Sequence, residues 1–212
     1  MASLSGKVLV AVDGASGGRD AVALARVLAP PASRMVLTNV YSVGVGTAAE
    51  PNPGAPPGGL AGRALHRLAR KESADLLVVG SSHRGPAGAT MLGGQTLAAL
   101  NGSSCAVAIA PRGYGMAEPE VRTVGAGDAG TAESELAVRT ARELAERHGA
   151  ALEVRAVTEG DPAEELASLA NRLDLLVVGS RAYGPSGRLL SGTTSMQLAR
   201  RAACPLLVVP RP

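Results

Sequence analysis

An internal repeat constrains the fold of this chain more than any other feature. Residues 74–112 match residues 173–211 without gaps, and the run Asp-Leu-Leu-Val-Val-Gly-Ser occurs identically at 75–81 and 174–180. Glycines, prolines and cysteines recur at the same offset: Gly85, Pro86, Gly88, Gly93 and Cys105 in the first copy and Gly184, Pro185, Gly187, Gly192 and Cys204 in the second. Chance matches would not persist at one offset, so the chain consists of two copies of one unit.

A weaker similarity extends the repeat toward the N-terminus. Apolar residues recur with the i, i+4, i+7 spacing of an amphipathic helix: Ala21, Ala25 and Leu28 in the first copy and Ala137, Ala141 and Leu144 in the second. We therefore expect two domains, at residues 5–113 and 120–212, joined by a short linker.

Each copy alternates predicted strands and helices. For the first copy we predict strands at 7–12, 34–41, 75–80 and 106–110, and helices at 18–29, 60–72 and 94–103. For the second we predict strands at 121–126, 151–157, 174–179 and 205–209, and helices at 132–148, 162–172 and 193–202. Because the strands are short continuous apolar runs, typical of strands covered on both faces, the fold class is α/β with two tandem doubly wound parallel sheets.

Composition excludes several classes of function. The chain has 212 residues, 46% of them hydrophobic, with no Trp or Phe and a net charge of +3. It lacks the aromatic platforms and basic blocks of nucleic-acid binders, and no apolar run approaches the ~20 residues of a membrane span. The two cysteines and three histidines show no metal-ligand spacing. With no signal peptide visible, we expect a cytoplasmic protein without nucleic-acid, membrane or metal partners.

An aspartate closes the first predicted strand of each copy. These residues are Asp13 and Asp128, and the carboxyl ends of parallel strands are where such sheets bind ligands. A carboxylate there can accept hydrogen bonds from a ribose diol. The alternative is that each aspartate caps the helix that follows it.

A glycine-containing loop follows the third predicted strand of each copy. Gly80-Ser-Ser-His83 is followed after nine residues by Gly93-Gly94, and Gly179-Ser-Arg-Ala182 is followed after nine residues by Gly192-Thr193-Thr194. Glycine lets backbone N–H groups approach a phosphate, and a helix N-terminus adds partial positive charge. Thr193 can donate to a phosphate oxygen or cap its helix.

Together these motifs resemble the universal stress protein family, in particular its tandem actinobacterial members. The pattern is Val-Val-Gly-Ser-x-x-x-Gly-Pro followed by Cys-x-Val/Leu-x-Val/Ile-x-Pro, and the similarity runs from about Lys7 to Pro210. The resemblance implies Rossmann-like, adenine nucleotide α-hydrolase-like domains that bind ATP, with or without Mg²⁺. The binding residues it implies are Ala11, Asp13, Val40, Gly80, His83, Gly93, Gly94 and Gln95 in the first copy and Ala126, Asp128, Val157, Gly179, Ala182, Gly192, Thr193 and Thr194 in the second.

The chain departs from the family pattern in both loops. The second motif glycine is His83 in one copy and Ala182 in the other, and a Cβ at a positive φ costs about 1 kcal/mol or more. The hydroxyl position is Gly94 in the first copy but Thr193 in the second, so the second copy has the better phosphate loop. Family units usually have five strands, whereas the segments after the second strand here are too short or too proline-rich to form a further helix and strand. We therefore expect four- or five-stranded sheets in which the edge strand is lost or rudimentary.

Three functions remain open from the sequence. The first is a stress-response module that binds ATP without strong catalysis. The second is a signalling adaptor that binds no nucleotide and acts through partner surfaces, and the third is a slow nucleotide hydrolase. No residue is assigned a catalytic role, which counts against the enzyme. We also expect the copies to pack as an internal pseudo-dimer through strands 106–110 and 205–209, with a further homodimer as an option.

Overall fold

The computed structural model describes residues 4, 6–12, 14–39, 59–81, 87–90, 103–157, 161–180 and 194–210. Its strands are β1 Lys7–Ala11, β2 Arg34–Thr38, β3 Leu76–Gly80, β4 Ala106–Ala110, β5 Thr123–Asp128, β6 Ala151–Ala156, β7 Leu175–Gly179 and β8 Leu206–Val209. Its α-helices are α1 Ser16–Leu28, α2 Gly59–Lys71, α3 Ala132–His148, α4 Pro162–Ala170 and α5 Thr194–Leu198, with a 3₁₀ turn at Tyr114–Met116. The predicted alternation of strands and helices is confirmed, while the predicted helix at 94–103 lies almost entirely outside the described residues.

The described strands form one eight-stranded sheet in the order β2-β1-β3-β4-β8-β7-β5-β6. Within each half neighbouring strands are parallel, whereas β4 and β8 pair antiparallel at the centre, with Val107 opposite Val208 and Ile109 opposite Leu206. The order from either edge is the same, so the halves are related by an approximate two-fold axis between β4 and β8. Each half contributes four described strands.

Helices cover both faces of the sheet. Apolar residues of α1 and α3, including Leu24 and Leu144, form one buried cluster with the strands. Leu65 of α2, Leu166 of α4 and Leu198 of α5 belong to a second cluster on the opposite face. Both clusters contain residues of the two halves, so the core is continuous across the β4–β8 junction. Among the described residues, no helix is long and apolar enough to cross a membrane.

The aspartate of the repeated motif anchors the first strand of each half. The Asp75 carboxylate accepts the Lys7 backbone N–H at 2.8 Å. The Asp174 carboxylate accepts the backbone N–H groups of Arg122 and Thr123, both at 2.9 Å. This anchor fixes where β5 begins, and β5 is therefore two residues later than the predicted strand at 121–126.

The linker between the halves is held by a buried side chain of α1. Asp20 is 2% exposed, and its carboxylate accepts the backbone N–H groups of Gly113 at 2.9 Å and Gly115 at 2.8 Å. Gly113 has a φ of +85°, a conformation that favours glycine. The linker is therefore docked against the first half.

Side chains also connect the two halves directly. The Arg147 guanidinium donates to the Leu28 carbonyl at 2.9 Å, which places a cation at the C-terminal end of α1, where the helix dipole is negative. The buried Thr90 hydroxyl donates to the Ala202 carbonyl at 3.0 Å. These contacts add to the β4–β8 pairing.

Candidate functional site

A cleft of about 400 Å³ opens at the carboxyl edge of the second half. It lies at the ends of β5 and β7, which are neighbours in the sheet. The chain passes from β5 to β6 on one side of β5 and then crosses to β7 on the other side. This is the reversal of strand order at which open parallel sheets bind ligands. The cleft is lined by Gly127, Ala129, Thr131, Glu133, Ser134, Val157, Asp161, Pro162, Leu166, Val178, Gly179, Thr194, Ser195 and Gln197.

Helices α3 and α4 both begin at the cleft. Thr131 caps α3 and forms a reciprocal capping box with Ser134, while the Asp161 carboxylate caps α4 by accepting the Ala163 N–H at 2.9 Å. The short helix α5 begins at Thr194, also on the cleft wall. The partial positive charges of helix N-termini therefore converge on one space, which favours an anionic ligand.

Asp128 is used within its own loop. Its Oδ1 accepts the Gly130 backbone N–H at 2.9 Å and the Ser134 hydroxyl at 3.0 Å. Within the described residues its Oδ2 accepts no hydrogen bond, and Asp128 is not among the residues that line the cleft. The carboxylate therefore supports the turn into α3 without capping the helix, because the cap is Thr131.

The strand register shows that Asp13 and Asp128 are not equivalent positions. Val8 lies opposite Leu76 and Val124 lies opposite Leu175, and the two leucines are the same position of the repeated motif. Counting from these pairs, Asp128 corresponds to Val12, and Asp13 corresponds to Ala129. The two aspartates are therefore offset by one residue when the halves are aligned by their strand pairs.

The motif glycines have a packing role that sequence reasoning missed. A Cβ on Gly80 would collide with the backbone of Gly17 at the start of α1. A Cβ on Gly179 would collide in the same way with the backbone of Glu133 in the first turn of α3. Glycine at this position lets the helix N-terminus approach the strand end, whether or not a ligand is bound.

The described walls of the cleft carry negative charge. Glu133, which is 7% exposed, and Asp161 both contribute to the lining, whereas none of the described lining residues is Lys or Arg. The Ser180 hydroxyl, next to Gly179, is buried and has no hydrogen-bond partner among the described residues. Among the described lining residues, an anionic ligand would therefore meet helix N-termini rather than cationic side chains.

The structure brings together only some of the residues implied by the resemblance. Val157, Gly179 and Thr194 line the cleft, whereas Ala126 is fully buried in the cluster beneath α3. In the first half Ala11 packs against the core and Gly80 against α1. The remaining implied residues lie outside the described part of the chain: Asp13, Val40, His83, Gly93, Gly94, Gln95, Ala182, Gly192 and Thr193.

Several lining residues were not predicted from the sequence. Thr131 and Ser134 belong to a capping box in which serine replaces the usual Glu or Gln, so the motif was easily missed. Asp161 precedes a proline at the start of α4, a recognisable helix-start signal. Sequence could have placed these residues at helix N-termini, but not at a shared cleft. Among the described residues no cluster of three or more His, Cys, Asp or Glu side chains is arranged to hold a metal ion.

Comparisons with known proteins agree on one family. The universal stress protein family model matches residues 58–111 and 120–210. A universal stress protein from Archaeoglobus fulgidus has a similar structure, with 12% identity, a TM-score of 0.67 and coverage of 97% of this chain and 98% of that one. A putative universal stress protein from Pseudomonas aeruginosa UCBPP-PA14 has 14% identity and a TM-score of 0.60, with coverage of 97% of this chain and 82% of that one. PA1789 of Pseudomonas aeruginosa PAO1, described as functionally unknown, has 14% identity and a TM-score of 0.58, with coverage of 96% of this chain and 81% of that one. No curated protein matches in sequence.

Proposed function

The chain belongs to the universal stress protein family, and from this premise we propose that it is a stress-response protein whose second half binds an adenine nucleotide, ATP, at the cleft between β5 and β7. The observation that carries the proposal is the cleft itself. Its volume of about 400 Å³ falls within the ~300–1,000 Å³ typical of small-molecule sites. It also lies where a doubly wound sheet places its ligand.

The proposed orientation follows from the chemistry of the two ends of the cleft. Thr194 offers a hydroxyl group at the start of α5 and suits the phosphates, whereas the Ser195 hydroxyl beside it donates to the Gly179 carbonyl at 3.5 Å. Val157 and Leu166 offer apolar surface at the β6 end and suit the base. Asp128 is assigned no ribose contact, because it is not among the residues that line the cleft, and its Oδ1 accepts hydrogen bonds from Gly130 and Ser134. Its role is to hold the turn containing Ala129 and Thr131.

We propose that the nucleotide binds together with Mg²⁺. Two carboxylates, Glu133 and Asp161, are among the described residues that line the cleft, and none of those lining residues is Lys or Arg. A triphosphate with uncompensated charge would be repelled, whereas Mg²⁺ neutralises phosphate oxygens and tolerates nearby carboxylates. Binding therefore depends on Mg²⁺ more strongly than it would in a site lined by lysine or arginine.

We propose a binding role without strong catalysis. Glu133 and Asp161 are the carboxylates on the described cleft wall, and Asp161 is already engaged as the cap of α4. A general base for hydrolysis needs a free acceptor within reach of the attacking water. Slow hydrolysis is tested by measuring phosphate release from ATP over hours, with the Glu133→Gln variant as the comparison.

The direct experiment is to identify a nucleotide carried by the protein. The purified full chain is heated, and the supernatant is chromatographed against adenine and guanine nucleotide standards. The proposal predicts adenine nucleotide, or, if none is retained, calorimetric binding of ATP in the presence of Mg²⁺. Absence of both at millimolar ATP would favour the adaptor function, in which the protein acts through its surfaces.

A further inference from the structure

The outer edge of β2 leaves backbone groups without a strand beside them in the described part of the chain. Among the described strands β2 pairs with β1 alone, through bonds that include Arg34 N–H to the Gly6 carbonyl at 3.1 Å and Val12 N–H to the Thr38 carbonyl at 2.8 Å. In a parallel ladder alternate residues bond to the same neighbour. The N–H and C=O groups of Met35 and Leu37 therefore point away from β1, toward the open edge.

The same two residues expose apolar side chains. Met35 is 44% exposed and Leu37 is 60% exposed. Val36, which alternates with them, packs into the cluster beneath α2. Met35 and Leu37 lie on the other face of the sheet, the face that α1 covers. Because α1 packs over β1, β3 and β4, these two side chains lie beyond the edge of that helix. An open edge with apolar side chains is a template for strand pairing.

Positive charge borders this edge on the α2 face. Helix α2 contains three arginines, one lysine and no Asp or Glu, and Arg67, Arg70 and Lys71 are exposed. Glu72 forms an ion pair with Lys7 at 2.8 Å. The hydrogen bond from Lys7 lowers the pKa of Glu72, and the positive charges of Lys7, Arg34 and Lys71 lower it further. Within the described residues Arg34 and Lys71 form no ion pair, so the border carries an excess of positive charge.

The second half protects its corresponding edge. In β6, Glu153 pairs with Arg172 and with Arg155, the latter at 3.8 Å. Counting from the strand register, Glu153 and Arg155 stand where β2 has Val36 and Thr38. The corresponding helix α4 has two glutamates and no Lys or Arg. Charged side chains on an edge strand oppose pairing with a further strand. The two halves therefore differ in how readily their edge strands can accept another strand.

We propose that β2 is a docking edge for an extended segment of a partner protein in which acidic and apolar residues alternate. The segment adds a strand beside β2 and bonds to the backbone of Met35 and Leu37. Its apolar residues cover those two side chains, and its acidic residues lie on the opposite face, toward Arg34 and Lys71. Strand alternation requires these two chemistries on opposite faces.

The test uses the full chain and a defined peptide. The probe is a peptide of about eight residues, the length of an ordinary strand, that alternates glutamate and valine; a lysine–valine peptide is the charge control. We expect the glutamate peptide to shift the backbone NMR signals of Met35 and Leu37 and to slow their amide exchange. Leu37→Asp should weaken its binding by roughly tenfold or more, since an inserted charge opposes edge pairing.

Matched variants separate the edge from general charge effects. Val154→Asp places the same charge on β6 and should leave peptide binding unchanged. Arg34→Glu combined with Lys71→Glu should weaken the glutamate peptide and reverse the preference toward the lysine peptide. The proposal is overturned if neither peptide shifts Met35 or Leu37 at millimolar concentration, or if the lysine peptide binds the unmodified chain as well as the glutamate peptide. It is also overturned if sedimentation shows a dimer that Leu37→Asp dissociates, because the edge then belongs to a second copy.

Discussion

The Asp128 carboxylate accepts the Ser134 hydroxyl at 3.0 Å and thereby ties the end of β5 to the first turn of α3. Thr131, which caps the helix, and Ala129 lie in the turn between them, and both line the cleft. Asp128 thus shapes the wall of the cleft through this turn, although it is not itself among the lining residues.

Replacing Asp128 tests this supporting role. Asp128→Ala removes the acceptor for Gly130 N–H and the Ser134 hydroxyl, so we expect a loss of about 1–3 kcal/mol in the free energy of unfolding. Asp128→Asn keeps a side-chain oxygen at the same place and should retain most of the stability. Urea unfolding measures both. Equal losses in the two variants would show that the charge matters rather than the acceptor.

The two motif aspartates provide a matched pair within one chain. Asp174 accepts hydrogen bonds from the backbone N–H groups of Arg122 and Thr123 and from the Thr123 hydroxyl, whereas Asp75 accepts the Lys7 N–H. Because hydrogen bonds to charged groups contribute about 1.5–3 kcal/mol each, Asp174→Ala should destabilise the chain more than Asp75→Ala. Chemical denaturation of the two variants gives the comparison, and the opposite ranking would contradict the anchoring role.

The continuous core predicts that the two halves unfold together. Leu169 is 2% exposed in the second half, and Leu169→Ala should cost about 2–5 kcal/mol. We expect calorimetry to show one transition, shifted to lower temperature as a whole. If a transition at the original temperature persists for the first half, the β4–β8 junction does not couple the halves.

Burial of Cys204 predicts a loss of stability at alkaline pH. Burial raises the pKa of this thiol to about 12, from an ordinary value of 9.0. Between the two pKa values the unfolded chain releases the thiol proton while the folded chain keeps it, so the unfolded state is favoured as pH rises. Stability should fall between about pH 9 and pH 12, and Cys204→Ala should flatten this slope in urea unfolding at a series of pH values.

Two other groups share the alkaline window and serve as controls. Burial also raises the pKa of Cys105, and burial raises the pKa of Tyr114 to about 12 from 10.0. Tyr114→Phe should therefore change the slope only above about pH 10, where the unfolded tyrosine ionises. An unchanged slope in Cys204→Ala would show that this thiol does not contribute.

The repeat allowed much of the fold to be predicted, because continuous apolar runs such as Leu175–Gly179 carry a strong signal of buried parallel strands. The start of β5 was misplaced because Val121 is buried outside any strand, and only the long-range bonds from Asp174 show where the strand begins. At the candidate site, the sequence pointed to the carboxyl edge of the sheet, where the cleft lies, but it aligned Asp13 with Asp128. Only the pairing of β5 with β7 reveals the shift of one residue.

Nucleotide binding at the second-half cleft is tested most directly by introducing a charge at Thr194. Glutamate is favoured at a helix N-terminus, so Thr194→Glu should fold normally while repelling phosphate from the cleft wall. Ala132→Glu adds the same charge to the first turn of α3, where Ala132 is exposed and outside the cleft lining. The measurement is calorimetric titration of the full chain and both variants with ATP and Mg²⁺. We predict that Thr194→Glu weakens binding by roughly tenfold or more, equivalent to at least about 1.4 kcal/mol, and that Ala132→Glu binds like the unmodified chain. Equal affinity for ATP in all three proteins would contradict the assignment of the site.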